Sequence, residues 1–244
     1  MTNVLVEPAP AGKPVPAATD ASAPMRPLLV MIGVFLAIGI WGAIAQRQTA
    51  HDTALPLPAR PAAVYFGLIL MEWGLALYVW RAGLRGSGAA LRSLIGGRWS
   101  GLRDVGVDAA IAFLTWAGWT AASRIWFRVW GADSAASVDS LLPHRPHEVA
   151  LWILLSLSAG FSEELVFRGY LQTRLRALTG SLPLALLLQA LVFGVSHGYQ
   201  GVGACLRISA YGLAFGGLAA WRRTLRPGML AHAWTDIAAG LLRF

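Results

Sequence analysis

Long apolar runs, separated by short clusters of arginine, glycine and proline, set the pattern of this chain. Seven stand out, at residues 28–45, 61–80, 105–122, 149–167, 179–196, 208–221 and 229–242. A helix needs about 20 residues to cross a bilayer core, and the longer runs approach that length. The pattern predicts an all-α polytopic membrane bundle of about seven (six to eight) transmembrane helices. Residues 81–103 differ: Leu91, Leu94, Ile95 and Trp99 are interleaved with glycine and arginine, as in a segment lying at the interface. Residues 1–27, rich in Pro and Ala, carry no apolar period and are expected to form a disordered tail. No small-residue cleavage site follows the first run, which is therefore expected to be a retained helix and not a signal peptide.

Composition narrows the class. Of 244 residues, 56% are hydrophobic and 13% charged; soluble domains average roughly 45–50% and about 25%. So few charges cannot clothe a water-soluble protein of this size. The net charge of +8 comes from arginines between the apolar runs, which suits topology and anionic lipid contact, with no nucleic acid partner expected. Counting Lys and Arg on alternate connections gives 13 on the side of the N-terminal tail and 7 on the other. The positive-inside rule then places the tail in the cytoplasm, as for a multi-pass protein of a bacterial inner membrane. Cys205 is the only cysteine, so an internal disulfide and a cysteine-based zinc site are both excluded.

Chemistry enters through polar residues in these greasy segments. The fourth run leads into Glu163, Glu164 and Arg168. Each charge in a bilayer costs on the order of 3 kcal/mol, so three within six residues call for a protein-lined pocket or for a helix that has already reached the interface. Glu164 and Arg168 stand four apart and can pair, while Glu163 points about 100° away and is left for another partner. In the fifth run His197 follows Phe193 by one turn, and in the last Asp236 follows His232 by one turn. Helices joined by short connections pack as neighbours, so these groups can converge. A carboxylate beside an imidazole can deprotonate a water, and a second imidazole can serve a developing oxyanion. The same Glu and His set could instead hold a divalent metal such as zinc, with an open position for water. HExxH does not occur; His147-Glu148 begins it, but Leu151 stands where its second histidine belongs. Glu72 and Asp108 are expected to be interfacial or structural, and His51, His144 and His147 to be solvated in loops.

Glu163-Glu164-x3-Arg168, Phe193-x3-His197 and His232-x3-Asp236, in this order, resemble the CPBP family of intramembrane proteases. That family comprises the CAAX-processing endopeptidases and bacterial Abi or bacteriocin-processing proteins. The likeness covers 148–244 and leaves 28–147 as a transmembrane scaffold. It implies a conical cavity open to the cytoplasm and a protein or peptide substrate cut near the membrane. It implies Glu163 as base assisted by His197, His232 and Asp236 as an oxyanion pair, and Glu164 with Arg168 shaping the site. The last motif position is often Asn; Asp236 could be protonated, orient His232 or bind a metal. A non-catalytic immunity protein against a bacteriocin is the alternative. A proton-coupled transporter would need broken helices or inverted repeats, and the sequence has none.

Overall fold

The structure, a computed structural model, describes residues 23–51, 61–84, 88–131 and 141–242, with the backbone alone at 45–51 and 88–90. Residues 1–22, the side chain of His51 and, of the arginines counted above, the side chain of Arg47 and all of Arg60, Arg85 and Arg243 lie outside the described residues.

Among the described residues every regular element is helical. In chain order these are α1 (Arg26–His51), α2 (Pro61–Tyr78) ending in a π turn (Val79–Gly83), α3 (Gly88–Ile95) and α4 (Leu102–Trp130). The chain continues with α5 (Pro146–Glu163), a π segment (Glu164–Leu171), α6 (Gln172–Thr179) and α7 (Leu182–Ser196). A 3₁₀ turn (Gly198–Gln200), α8 (Val202–Arg222) and α9 (Arg226–Leu242) complete it. Five helical stretches are long and apolar enough to cross a membrane: Arg26–Ile44, Pro61–Gly83, Leu102–Trp130, Pro146–Thr179 and Val202–Arg222. All seven apolar runs fall on helices, but α7, with 15 residues, and α9, with 17, are shorter than those five. The chain is an integral membrane protein of all-α architecture.

Local chemistry sets the boundaries. Helix α5 starts at Pro146, whose missing N–H costs nothing in a first turn. Glu148 closes that turn by accepting from the backbone N–H groups of His144 at 2.9 Å and Arg145 at 3.0 Å. Gly180, at φ +66°, ends α6 in the left-handed conformation, and the hydroxyl of Ser181 accepts from Leu184 N to begin α7. Helix α8 stops at Arg223, which holds a left-handed φ of +54° without being glycine.

The bundle is greasy outside and polar within. Leu29, Ile40, Trp41, Leu70, Leu114 and Trp221 are exposed, whereas Ser156, Ser158, Ser162, Gln172 and Gln189 are buried. Lipid asks for this arrangement, since small and polar side chains bring helices close and bond across them. Gln189 donates to Gly212 O at 2.8 Å and Gln172 to Gly216 O at 3.1 Å, so two glycines one turn apart admit α6 and α7 to the backbone of α8. One core joins both halves of the chain: Leu28, Met31, Phe35, Val79 and Leu84 pack with Val166, Phe167, Tyr170 and Phe193. The interfacial segment is more than a basic loop. Leu91 and Leu94 of α3 pack on this core, and Ile95 O accepts from Leu225 N at 3.1 Å and Thr224 Oγ1 at 2.6 Å.

Candidate active site

The site is built where α5 passes into its π segment. A π turn adds a residue to the helical repeat and turns side chains off the regular register, a feature common at functional sites. Every residue from Glu164 to Leu171 is buried. Glu164 Oε1 and Arg168 Nη1 stand 3.1 Å apart with side chains 1% and 0% exposed, a buried ion pair at the expected spacing. The guanidinium is caged by rings, 4.3 Å from the Phe193 centroid and about 6 Å from those of Phe167, Tyr211 and Phe215.

Helix α9 delivers His232 to this pair. Gly160 lets the two helices touch: a Cβ there would lie 2.8 Å from Met229 O and 2.9 Å from Ala233 N. Trp152 Nε1 donates to Asp236 O at 2.8 Å and fixes the next turn. The imidazole Nδ1 lies 2.9 Å from Glu164 Oε1. Its Nε2 lies 3.6 Å from both Glu163 Oε2 and Asp236 Oδ2. Glu164 pairs with Arg168 as the spacing suggested, and is held from a second side by His232. Glu163 and Glu164, adjacent in sequence, face opposite nitrogens of one ring. Phe193, Tyr211 and Phe215 stand edge-on around that ring at 6.3, 5.2 and 6.0 Å. Side-chain exposure rises from 1% at Glu164 through 15% at Glu163 to 35% at Asp236, so the cluster has a closed floor and an open side.

His197 sits at the rim, half-buried, just after α7. Its Nδ1 lies 2.9 Å from Phe193 O, and Ser196 Oγ also donates to that carbonyl, at 2.7 Å. A carbonyl only accepts, so Nδ1 carries hydrogen and the neutral ring keeps its lone pair on Nε2. Among the described residues no hydrogen bond or ion pair joins His197 directly to Glu163. The loop holding His197 is pressed by α1, where Gly39 and Gly198 meet so closely that a Cβ on Gly198 would lie 2.2 Å from Gly39 O.

Two acids expected to be interfacial or structural behave differently from each other. Glu72, on α2, is 5% exposed and lies against Glu163 within hydrogen-bond reach. Asp108, on α4, is 1% exposed and binds Arg226 Nε at 2.9 Å, Arg222 Nη2 at 3.2 Å and Trp99 Nε1 at 2.9 Å. His144 and His147 are exposed, as expected, but His147 falls in the first turn of α5 and not in a loop. The signal for Glu72 was present in the sequence: one acid in an otherwise uncharged span is a functional candidate by its cost alone. The aromatic cage of Tyr211 and Phe215 had no such signal, because aromatic residues at helical spacing read as ordinary core.

Among the described residues no three His, Cys, Asp or Glu side chains are arranged to hold a metal ion. His232 turns Nδ1 to Glu164 at 2.9 Å and Nε2 toward Glu163 and Asp236, each 3.6 Å away.

Residues 145–238 match the family described as type II CAAX prenyl endopeptidase Rce1-like. The stretch that carries the three motifs is therefore similar to the type II CAAX prenyl endopeptidases, a class of proteases, and here lies within a chain of membrane-length helices. No curated protein and no solved structure matches the chain.

Proposed function

We propose that this protein is an intramembrane endopeptidase in which Glu163 draws a proton from water and the resulting hydroxide attacks a peptide carbonyl. The observation that supports this reading is the convergence of Glu163, Glu164 and Asp236 on His232 beside a buried Arg168. Water donates one proton to a Glu163 carboxylate oxygen, and its own oxygen bonds to the scissile carbon. The carbonyl electrons move onto oxygen, which meets the Nε2–H of His232 in the space between Glu163 and Asp236. Glu163 then passes its proton to the leaving nitrogen as the C–N bond breaks. The 3.6 Å separations at Nε2 exceed a direct hydrogen bond, and that room suits an incoming oxygen.

The remaining residues take supporting roles. His197, with its lone pair on Nε2, orients the water from the rim. Glu164 fixes His232 through Nδ1, and Arg168 balances the buried charge. Asp236 orients His232, since an ionised carboxylate cannot donate to an oxyanion. The water is activated without a metal, so dialysis against a chelator leaves the rate unchanged; a loss restored by added zinc would reject that step. The substrate is the membrane-proximal or C-terminal segment of a protein or peptide, presented among membrane lipids to a site open on the cytoplasmic side of a bacterial inner membrane.

The test is cleavage of peptides by the purified full chain in lipid nanodiscs. Farnesylated CAAX peptides and an unmodified peptide library form separate arms. Cleavage in either arm that disappears in Glu163→Ala supports the proposal. Cleavage that survives Glu163→Ala unchanged rejects the mechanism, and no cleavage in either arm, with the folded wild type, favours an immunity protein.

A further inference from the structure

Glu72 comes from the half of the chain outside the matched stretch, yet its side chain belongs to the same cluster. Helices α2 and α5 run in the same direction and in register. Tyr65 meets Trp152 edge-on at 5.4 Å, and about two turns on Trp73 stacks on Phe161 at 5.4 Å and donates to Ser158 Oγ at 3.1 Å. These contacts hold α2 on α5, and Glu72 is buried in that packing. Its carboxyl lies against that of Glu163, and Asp236 is the next acid nearby. Both Glu72 Oε2 and Glu163 Oε2 are buried without a donor.

Two carboxylates have only acceptors to offer each other, and like charges in contact in a dry interior cannot both persist. The nearby cations do not resolve this, because Arg168 pairs with Glu164 and His232 already faces three acids. A proton between the two carboxyls removes the repulsion and completes the hydrogen bond.

We propose that Glu72 is a positioning residue of the hydrolytic site, its carboxyl sharing one proton with Glu163 and holding that group toward the water. This rests on the reading of Glu163 as the base. While the shared proton stays on Glu72, Glu163 remains an anion with its other lone pairs free to accept from water. A residue retained only for packing would need no proton there.

Two measurements on the full chain in nanodiscs test it. The first is the infrared carbonyl band of a protonated carboxyl at neutral pH, which needs no substrate. The band is expected in the wild type and absent in Glu72→Gln, whose amide donates without a carboxyl. The second is turnover of whichever peptide the wild type cleaves. Glu72→Gln is expected to stay within about threefold of the wild type, and Glu72→Met, similar in size but without a donor, to lose about tenfold in kcat with KM and thermal midpoint unchanged. A band that survives Glu72→Gln, or a Glu72→Met enzyme with wild-type kcat, overturns the proposal. Glu163→Ala, run alongside, separates the two ideas. If it stays active, the base is misassigned; if it is dead while Glu72→Met is normal, only the role of Glu72 falls.

Discussion

Glu164 and Asp108 are both acids buried in apolar helices, 0% and 1% exposed, but they keep different company. Asp108 engages both of its oxygens: one takes Arg222, the other takes Arg226 and the indole of Trp99. Its cations remain partly open, with side chains 28% and 15% exposed. Glu164 shares Oε1 between Arg168 and His232, while its Oε2 has no donor. Arg168 is sealed among rings, and its Nε also lacks a partner. At the edge of the bundle the acid is satisfied at both oxygens, though Arg222 Nε and Arg226 Nη1 also lack partners, and the cluster works as a staple joining α4 to the end of α8 and the start of α9. An under-satisfied pair in the centre retains polarity that chemistry can use. Buried polar groups left without partners cost stability, so their persistence points to work done for function.

The sharpest way to break this contrast is to neutralise each acid. Glu164→Gln strands a guanidinium that cannot reach water, and releases Nδ1 of His232. A loss of about 3 kcal/mol or more is expected, together with loss of cleavage. Asp108→Asn strands Arg222 and Arg226, but both can turn outward to headgroups, so about 1–2 kcal/mol is expected, with kcat per folded molecule largely kept. Thermal midpoints in nanodiscs, read beside turnover, check both. Equal losses from the two variants would show that the centre and the edge are held alike.

A second comparison sets α1 against the site it supports. Among its described side chains none brings a polar group to the cluster, yet its Gly39 touches the loop after His197. Gly198→Ala would push a methyl into Gly39 O, at 2.2 Å from backbone that cannot yield without moving the helix. About 2 kcal/mol of destabilisation is expected. Because the same shift carries His197 with it, kcat should fall while KM changes less. Unchanged kcat in the folded variant would show that the posture of His197 does not matter to turnover.

How far the sequence reveals this molecule depends on what each signal measures. Apolar runs locate the spans, because lipid-facing side chains must be greasy whatever the fold. They misjudge the ends, because a helix continues through charges that other helices bury. The fourth run seemed to stop at Phe167, but Glu164 and Arg168 are inside and the helical stretch goes on to Thr179. Likewise α4 carries Arg124 and Arg128 beyond its apolar run to Trp130. Spacing disclosed the Glu164–Arg168 and His232–Asp236 pairs, which lie on single helices. It could not disclose that His232 bridges two adjacent glutamates, since that depends on the π segment and on the approach at Gly160. Glu72 and Asp108 looked alike as lone acids of apolar spans. Only the neighbours brought by tertiary packing, a carboxyl for one and guanidinia for the other, set them apart.

The smallest expected effect concerns the turn between α8 and α9, which joins the staple to the site. Arg223 holds φ +54°, a conformation that costs a residue with a Cβ about 1 kcal/mol. Glycine meets no such penalty, but it adds freedom to the unfolded chain that offsets part of the gain. The charge of Arg223 makes no ion pair with Asp108, whose partners are Arg222 and Arg226. Arg223→Gly is therefore expected to raise the thermal midpoint slightly, by less than about 1 kcal/mol in stability, and to leave cleavage unchanged. A lower midpoint would mean that Arg223 holds the turn by contacts of its side chain. The staple at α9 would then extend one residue further than the Asp108 cluster, and the edge of the bundle would be less separable from the site than its ion pairs indicate.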